Sequence, residues 1–223
     1  MGYLISHMYA LYEYAIMLPV SFHYSSIVVW WDRSTVLWLL ALDRYQMTFH
    51  LRRARKEDLA GCVEIIEAVI PLMHAEGNYQ WELGVYPQAT HFAEDIDKDQ
   101  FWVASSSSSA SHSGEEILGC CALTEDQDED YKKIWDITEM AIVPHRLAVH
   151  PNHSGKGIAK AFIHKAEELA KERGYKNIRI DTNAKNEGTN TLFPKLGYQF
   201  LGHLTLASKP PDMKFNAYEK LLD

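Results

Sequence analysis

Along the chain the spacing of apolar positions switches repeatedly between about two and about 3.6 residues, and each switch marks a new element. A strand is predicted over residues 48–54. The helix after it opens at Lys56-Glu57-Asp58, where acids favour the positive end of the helix dipole. Its apolar positions Leu59, Val63, Ile66, Val69 and Ile70 keep helical spacing, and Gly77 closes it. A shorter helix is expected over 89–98, then strands over 101–104 and 117–123. Residues 105–114, almost all serine, read as a flexible hairpin loop without a function of their own. The acidic run Glu125 to Asp130 reads as a solvated loop, and the strand after it ends at Val149-His150. A long amphipathic helix over 157–173 stops at Gly174. A strand over 177–182, a helix over 187–196 and strands over 199–206 and 215–221 complete a mixed α/β pattern.

The first 46 residues follow another rule. Up to Leu42 the only charges are Glu13, Asp32 and Arg33, and Trp30, Trp31 and Trp38 fall here. The uncharged run from Tyr14 to Trp31 is interrupted by Pro19, Ser21, His23, Ser25 and Ser26, which makes it a marginal membrane span. No Lys or Arg precedes Arg33, so a secretory signal is not the reading. Two readings stand: a single anchor followed by the basic flank Arg44, Arg52, Arg53 and Arg55, or an inessential or mis-assigned extension with the natural start at Met47. The second is preferred, giving an apolar extension over 1–46 and one domain over 47–223.

Composition narrows the function classes. The 22 Lys plus Arg against 30 Asp plus Glu leave a net charge of −8, which argues against nucleic-acid binding. Three cysteines, Cys62, Cys120 and Cys121, make neither a disulfide framework nor a zinc cluster. Cys120 and Cys121 are adjacent and point to opposite faces of a strand, so all three are expected reduced and buried, in keeping with a cytoplasmic setting. His150 and His153 lack further ligands at metal-binding spacing, so no metal is expected.

The chemistry concentrates between His145 and Gly174. A strand leads into the turn Ser154-Gly155-Lys156-Gly157, and a helix follows whose buried face carries Ile158, Phe162, Ile163, Ala166 and Leu169. Such a turn aims unpaired N–H groups and the positive helix end at an anion such as a pyrophosphate. Side chains at Gly155 and Gly157 would hold a phosphate away from the backbone. The P-loop and the dinucleotide glycine patterns are both absent. Downstream come Asn186, Leu192-Phe193 and Gly197-Tyr198. In this order and spacing the segment resembles the GNAT superfamily of acetyl-CoA-dependent N-acetyltransferases, with the signature met at Gly157 and Ala159. The similarity is strongest to a group of uncharacterised small-molecule acetyltransferases, through Trp81, Tyr86-Pro87, Asp95-Ile96 and His145 to Val149.

The resemblance implies a central mixed, mostly antiparallel sheet of six to seven strands with splayed central strands, flanked by about four helices. It implies acetyl-CoA as cosubstrate, held by the backbone of Leu147, Ala148 and Val149, by the turn Ser154, Gly155, Lys156, Gly157, Ile158 and Ala159, and by Asn186. Ser154 stands where the signature has Gln or Arg. Phe193 stands beside the coenzyme where many members carry the tyrosine that protonates the departing thiolate. Water or Tyr198 are the substitutes, although Tyr198 also reads as a core residue, so the acid is unassigned. His145 lies four residues before Val149, the offset of an amine-site histidine in the arylalkylamine acetyltransferases, and is the first candidate base. Glu139 is the second, acting through water. Trp81 and Tyr86 are expected to roof the acceptor pocket, though packing residues would read the same. Asp181 is a candidate for the acceptor amine, and an ion pair with Arg146 or Arg179 accounts for it equally well. The acidic run could also draw in a cationic acceptor.

The function these residues imply is direct transfer of acetyl to a primary amine of a small molecule, amino-acid-like acceptors included. Its rivals are acetylation of a peptide or protein amine, a non-catalytic acyl-CoA-binding module motivated by Phe193, and a membrane-tethered form of the enzyme. Homodimer formation is left open.

Overall fold

The computed structural model describes the backbone of residues 20–24 and 27–31 and all of residues 49–106 and 115–222. It divides into two units, Met1–Thr48 and Phe49–Asp223. In the first, strands β1 (Val20–Tyr24) and β2 (Ile27–Trp31) pair antiparallel, with Val20 opposite Trp31 and Tyr24 opposite Ile27. The described part of the run weighed as a membrane span is thus a strand pair. Among the described residues no helix is long and apolar enough to cross a membrane. The rest of the apolar extension lies outside the described residues.

The second unit is built on seven strands: β3 (Phe49–Arg53), β4 (Phe101–Ser106), β5 (Ile117–Thr124), β6 (Ala141–Val149), β7 (Asn177–Asn183), β8 (Gln199–Leu204) and β9 (Phe215–Leu221). They lie in the order β3-β4-β5-β6-β7-β9-β8. Every neighbouring pair is antiparallel except β6 and β7. Helices α1 (Leu59–Ala75), α2 (Ala89–Asp97), α3 (Ile158–Glu172) and α4 (Glu187–Lys195) flank the sheet. This is the mixed, mostly antiparallel architecture expected above, with four helices among the described residues.

The sheet is buried on both faces because α1 and α3 bring apolar stripes to opposite sides. Cys62, Ile65, Ile66 and Ile70 of α1 pack with Phe101, Val103, Cys120 and Ala122. Phe162, Ile163, Ala166 and Leu169 of α3 pack with Trp102, Ala104, Leu118, Cys121 and Leu123. Strand alternation sends Cys120 and Cys121 into different cores, and all three thiols are buried and free of disulfides. Burial pushes the Cys121 thiol above its ordinary range. At Gly119 an added Cβ would lie 2.9 Å from Ile158 Cγ2 and 3.0 Å from the Ala148 carbonyl. Only a glycine lets the start of α3 approach the sheet this closely.

Two expectations need correction. Ser105 and Ser106 belong to β4, past a register shift after Ala104, and Ser105 Oγ meets His50 Nε2 at 3.0 Å. Tertiary pairing overrides the loop signal of serine there; residues 107–114 lie outside the described residues. The acidic run is not simply a solvated loop. It enters a short 3₁₀ turn, Glu129–Lys133, whose Tyr131 is buried with Trp135, Val143, Leu204 and Phe215 in a third cluster.

The site is set by where β6 and β7 part. Their parallel ladder has two steps, Ala141 with Asn177 and Ile142 with Ile178. Beyond them β6 continues only against β5 and β7 only against β9. On the β5 side, Ala122 faces His145 while Cys120 faces Ala148, so β6 carries one residue more over that interval. The extra residue is a bulge at which Arg146 adopts φ 53°. A non-glycine residue in that region is strained, and its side chain is held in place by partners described below.

Candidate active site

The parting opens a cavity of about 630 Å³. Pro144, His145, Arg146 and Leu147 of β6 form one wall, and Ile180, Asp181 and Thr182 of β7 the other. Asn186, Thr189 and Phe193 of α4 close one end. The remaining boundary comes from three connecting segments, with Gln80, Trp81 and Tyr86 on the first, Asp126 to Asp128 with Tyr131 on the second, and Leu206, Ser208 and Lys209 on the third. Past Ile142 the β7-facing edge of β6, including Leu147, Ala148 and Val149, has no strand partner, which leaves backbone donors and acceptors on that edge. Leu147 lines the cavity, Ala148 is buried toward α1, and Val149 packs toward α3.

The glycine turn stands at the end of β6. Ser154, Gly155, Lys156 and Gly157 are exposed, Ile158 is buried and Ala159 is half-buried. Gly155 and Gly157 sit at φ 75° and 84°, and a Cβ at either would meet nothing within 4 Å. The turn is therefore an open cradle beneath the N-terminus of α3. Ala161 N–H reaches the Gly157 carbonyl at 2.9 Å, so the N–H groups of Ile158, Ala159 and Lys160 precede the helical ladder. Ile163, which lines the cavity, is about 7.5 Å further along the helix axis. One helix thus begins at the open cradle and also lends a side chain to the cavity. Beside the turn, buried His153 uses both ring nitrogens, Nε2 on Glu116 at 3.0 Å and Nδ1 on Lys156 Nζ at 3.1 Å.

Of the two candidate bases the structure brings one to the cavity. His145 lines it, and its Nε2 lies 3.1 Å from the Asp126 carbonyl. A carbonyl only accepts, so Nε2 carries the proton and Nδ1 keeps the lone pair in the neutral ring. Glu139 lies outside the cavity, before β6 at the paired end of the β6–β7 ladder. Its carboxylate accepts from Asn177 Nδ2 at 3.0 Å and Arg179 Nη2 at 3.2 Å. It is an ion-pair residue there, and the side chains that line the cavity do not include it.

Asp181 does line the cavity, but neither proposed ion pair forms. Arg179 bonds Glu219 and Glu139, and Arg146 bonds Asp95. The hydroxyl of Tyr131 donates to Asp181 Oδ1 instead. Burial, then the charge of Asp181, pushes that phenol well above its ordinary range. Trp81 and Tyr86 each line the cavity and each pack against the α1 core. The Tyr86 hydroxyl accepts from Arg146 Nη1 at 3.2 Å. Asn186 caps α4, its Oδ1 accepting from Thr189 N–H at 3.1 Å, and it lines the cavity as well.

Phe193 is buried against Tyr218, ring centroids 5.4 Å apart, and offers no proton. Tyr198 is no substitute, because its hydroxyl donates to Glu167 Oε1 at 3.1 Å, away from the cavity lining. The sequence pattern gives no site role to Tyr131, Lys209 or Arg146, all of which line the cavity. Tyr131 sat within a charged run, and Lys209 in a loop with no pattern to mark it. Arg146 was considered only as a partner for Asp181. The Asp95-Ile96 pair was a signal for its true partner, since Asp95 accepts from Arg146 Nε at 3.0 Å.

A mostly antiparallel sheet that parts at its one parallel pair, above an open glycine cradle, is the acetyltransferase architecture that the sequence resemblance implied. A GNAT-family acetyltransferase from Streptococcus agalactiae superposes with a TM-score of 0.63 at 23% identity, covering 78% of this chain and 96% of that one. The structure of yncA from Salmonella typhimurium with its cofactor acetyl-CoA gives 0.55 at 14% identity, covering 79% and 95%. The sequence model of the acetyltransferase (GNAT) family matches residues 66–198, and the chain belongs to that family. N-acetyltransferase 8F1 of Rattus norvegicus is 28% identical over 102 residues, 46% of this chain. The match spans 40% of the length of that relative.

Proposed function

We propose that this chain is an acetyl-CoA-dependent N-acetyltransferase that acts on a primary amine of a small molecule, by direct transfer with both substrates bound. The observation that carries this reading is the cavity where β6 and β7 part, with α3 running from the open cradle at Gly155 and Gly157 to Ile163 in its lining. When bound, acetyl-CoA supplies an activated acyl thioester. The N–H groups at the start of α3 bind a pyrophosphate, and Asn186 Nδ2 is free to meet an amide carbonyl while Oδ1 caps its helix. Unpartnered N–H groups on the β6 edge can donate to an oxyanion.

His145 Nδ1 takes a proton from the acceptor ammonium, directly or through one water, while the Asp126 carbonyl fixes the ring. Asp181, oriented by Tyr131, holds the ammonium charge in the gap. With Phe193 at the coenzyme end and Tyr198 tied to Glu167, the departing thiolate takes its proton from water. A thiol with an ordinary pKa of about 8.5 leaves tolerably in that form.

A small acceptor is favoured over a peptide because Lys209 Nζ reaches the Gln80 carbonyl at 2.9 Å and so ties two boundary loops together. The test is thiol release from acetyl-CoA by the full chain with amines, amino acids and peptides, beside thermal stabilisation by acetyl-CoA alone. Acceptor-dependent release with small amines is expected. Release only with peptides would reassign the acceptor, and stabilisation without release would favour the acyl-CoA-binding module.

A further inference from the structure

The cavity holds charges of both signs, and they are not arranged as pairs. Asp126, Asp128 and Asp181 supply its acids, while Arg146 and Lys209 supply its permanent cations. Arg146 is neutralised by Asp95. Lys209 differs, since among the described residues it forms no ion pair. It touches the Gln80 carbonyl at 2.9 Å and stands 4.6 Å from the centre of the Tyr86 ring. Burial draws its ammonium below the usual lysine range, with Asp181 opposing that shift. A lysine held partly out of water, with donors left over after one carbonyl, is an anion site.

Resting on the acetyltransferase reading, we propose that Lys209 binds the carboxylate of the acceptor, and that the acceptor is therefore an amino acid or a similar amine with an adjacent carboxylate. In this placement the acceptor's ammonium faces Asp181 and His145, and its carboxylate lies against Lys209. The contacts to Gln80 and Tyr86 hold the lysine chain before binding, so little rotamer freedom remains to be lost. The same residue selects against plain amines, which must bring a positive charge beside an unneutralised ammonium. Three acids alone would instead favour diamines and polyamines, and that is the competing outcome.

Calorimetric titration of the full chain in the presence of CoA decides between them. The probes are phenylalanine, leucine and methionine, each compared with its decarboxylated amine, and cadaverine as the dication. The wild type is expected to bind at least one amino acid about 10-fold or more tightly than its amine, the size of one charge-assisted contact. Lys209→Met is expected to bring that ratio to about 1–2, and Lys209→Arg, which keeps the cation, to retain most of it. Equal or tighter binding of the amines or of cadaverine overturns the proposal. So does a ratio that survives in Lys209→Met, or binding of none of the amino acids. Because binding is read without turnover, failure here is separate from failure of thiol release with every acceptor, which would remove the enzymatic reading itself.

Discussion

The hydroxyl of Tyr131 donates to the carboxylate of Asp181 across the cavity, joining the 3₁₀ turn of the acidic segment to β7. One buried aromatic thereby anchors the third hydrophobic cluster and aims an acid into the cavity. Removing the hydroxyl leaves the Asp181 carboxylate without that donor. Tyr131→Phe is expected to cost about 1–3 kcal/mol, the usual loss when a polar partner of a carboxylate is removed. At about 2–4 °C per kcal/mol for a chain of this size, a thermal melt resolves it. An unchanged melting temperature would show that the bond adds nothing to the fold.

Asp95 and Arg146 form the buried pair behind the bulge, with Arg146 also bonding the Tyr86 hydroxyl. Asp95→Ala leaves a guanidinium buried without its acid and is expected to cost about 3–5 kcal/mol in urea unfolding. Adding Arg146→Met to it is expected to recover part of that loss, since an apolar chain needs no counterion. Additive losses in the double variant would contradict this account.

For the proposed base, His145→Ala is expected to lower kcat/KM by about 10²–10⁴-fold. With the base removed, only acceptor that is already neutral in solution reacts, so the variant's residual rate is expected to climb with pH toward the amine's own pKa. Glu139→Gln, which perturbs an ion pair outside the cavity, is expected to leave the pH profile in place. A rate and pH profile unchanged in His145→Ala would assign the base elsewhere.

At the cradle, Gly157→Val places a β-branched residue at φ 84°. The strain costs about 1–2 kcal/mol in melting. The added side chain also enters the open space above the helix end, so thermal stabilisation by acetyl-CoA is expected to fall by more than the strain accounts for. Equal stabilisation of variant and wild type would place the pyrophosphate away from this turn.

Acid stability has a local origin at Asp58. Burial raises its pKa, but the bonds from Arg52 and from the Arg55 N–H outweigh that and hold it below the ordinary 3.8. A carboxyl depressed in the folded state stabilises the fold fully above its unfolded value, and that contribution disappears as pH falls through the lower folded value. Melting temperature should therefore drop with added steepness below about pH 4. Asp58→Asn is expected to lower stability at neutral pH and to flatten that part of the curve.

Much of the fold was legible because burial leaves a period in the sequence. The stripe of α3, the alternation that divides Cys120 from Cys121, and the turn at Gly155 and Gly157 were all readable as patterns. Pairings between distant residues leave no period. Asp181 reads as a candidate for the acceptor amine or as a partner of Arg146 or Arg179, whereas its hydroxyl donor is Tyr131, 50 residues away and just past a run that reads as solvated. Serine composition hid the end of β4, where the neighbouring strands decide the conformation. The point at which a ladder stops also has no residue signature. That is why the cavity's place came from family resemblance, and why Lys209 was missed altogether.

The two-step ladder between β6 and β7 also has a mechanical meaning. The sheet behaves as two panels, one of β3 to β6 and one of β7 to β9, seamed at one end of their shared edge. A ligand that occupies the open end and bonds to the β6 edge adds a brace where the backbone has none. Filling the gap then stiffens the seam, and slower amide exchange would extend beyond the residues touched to both panels.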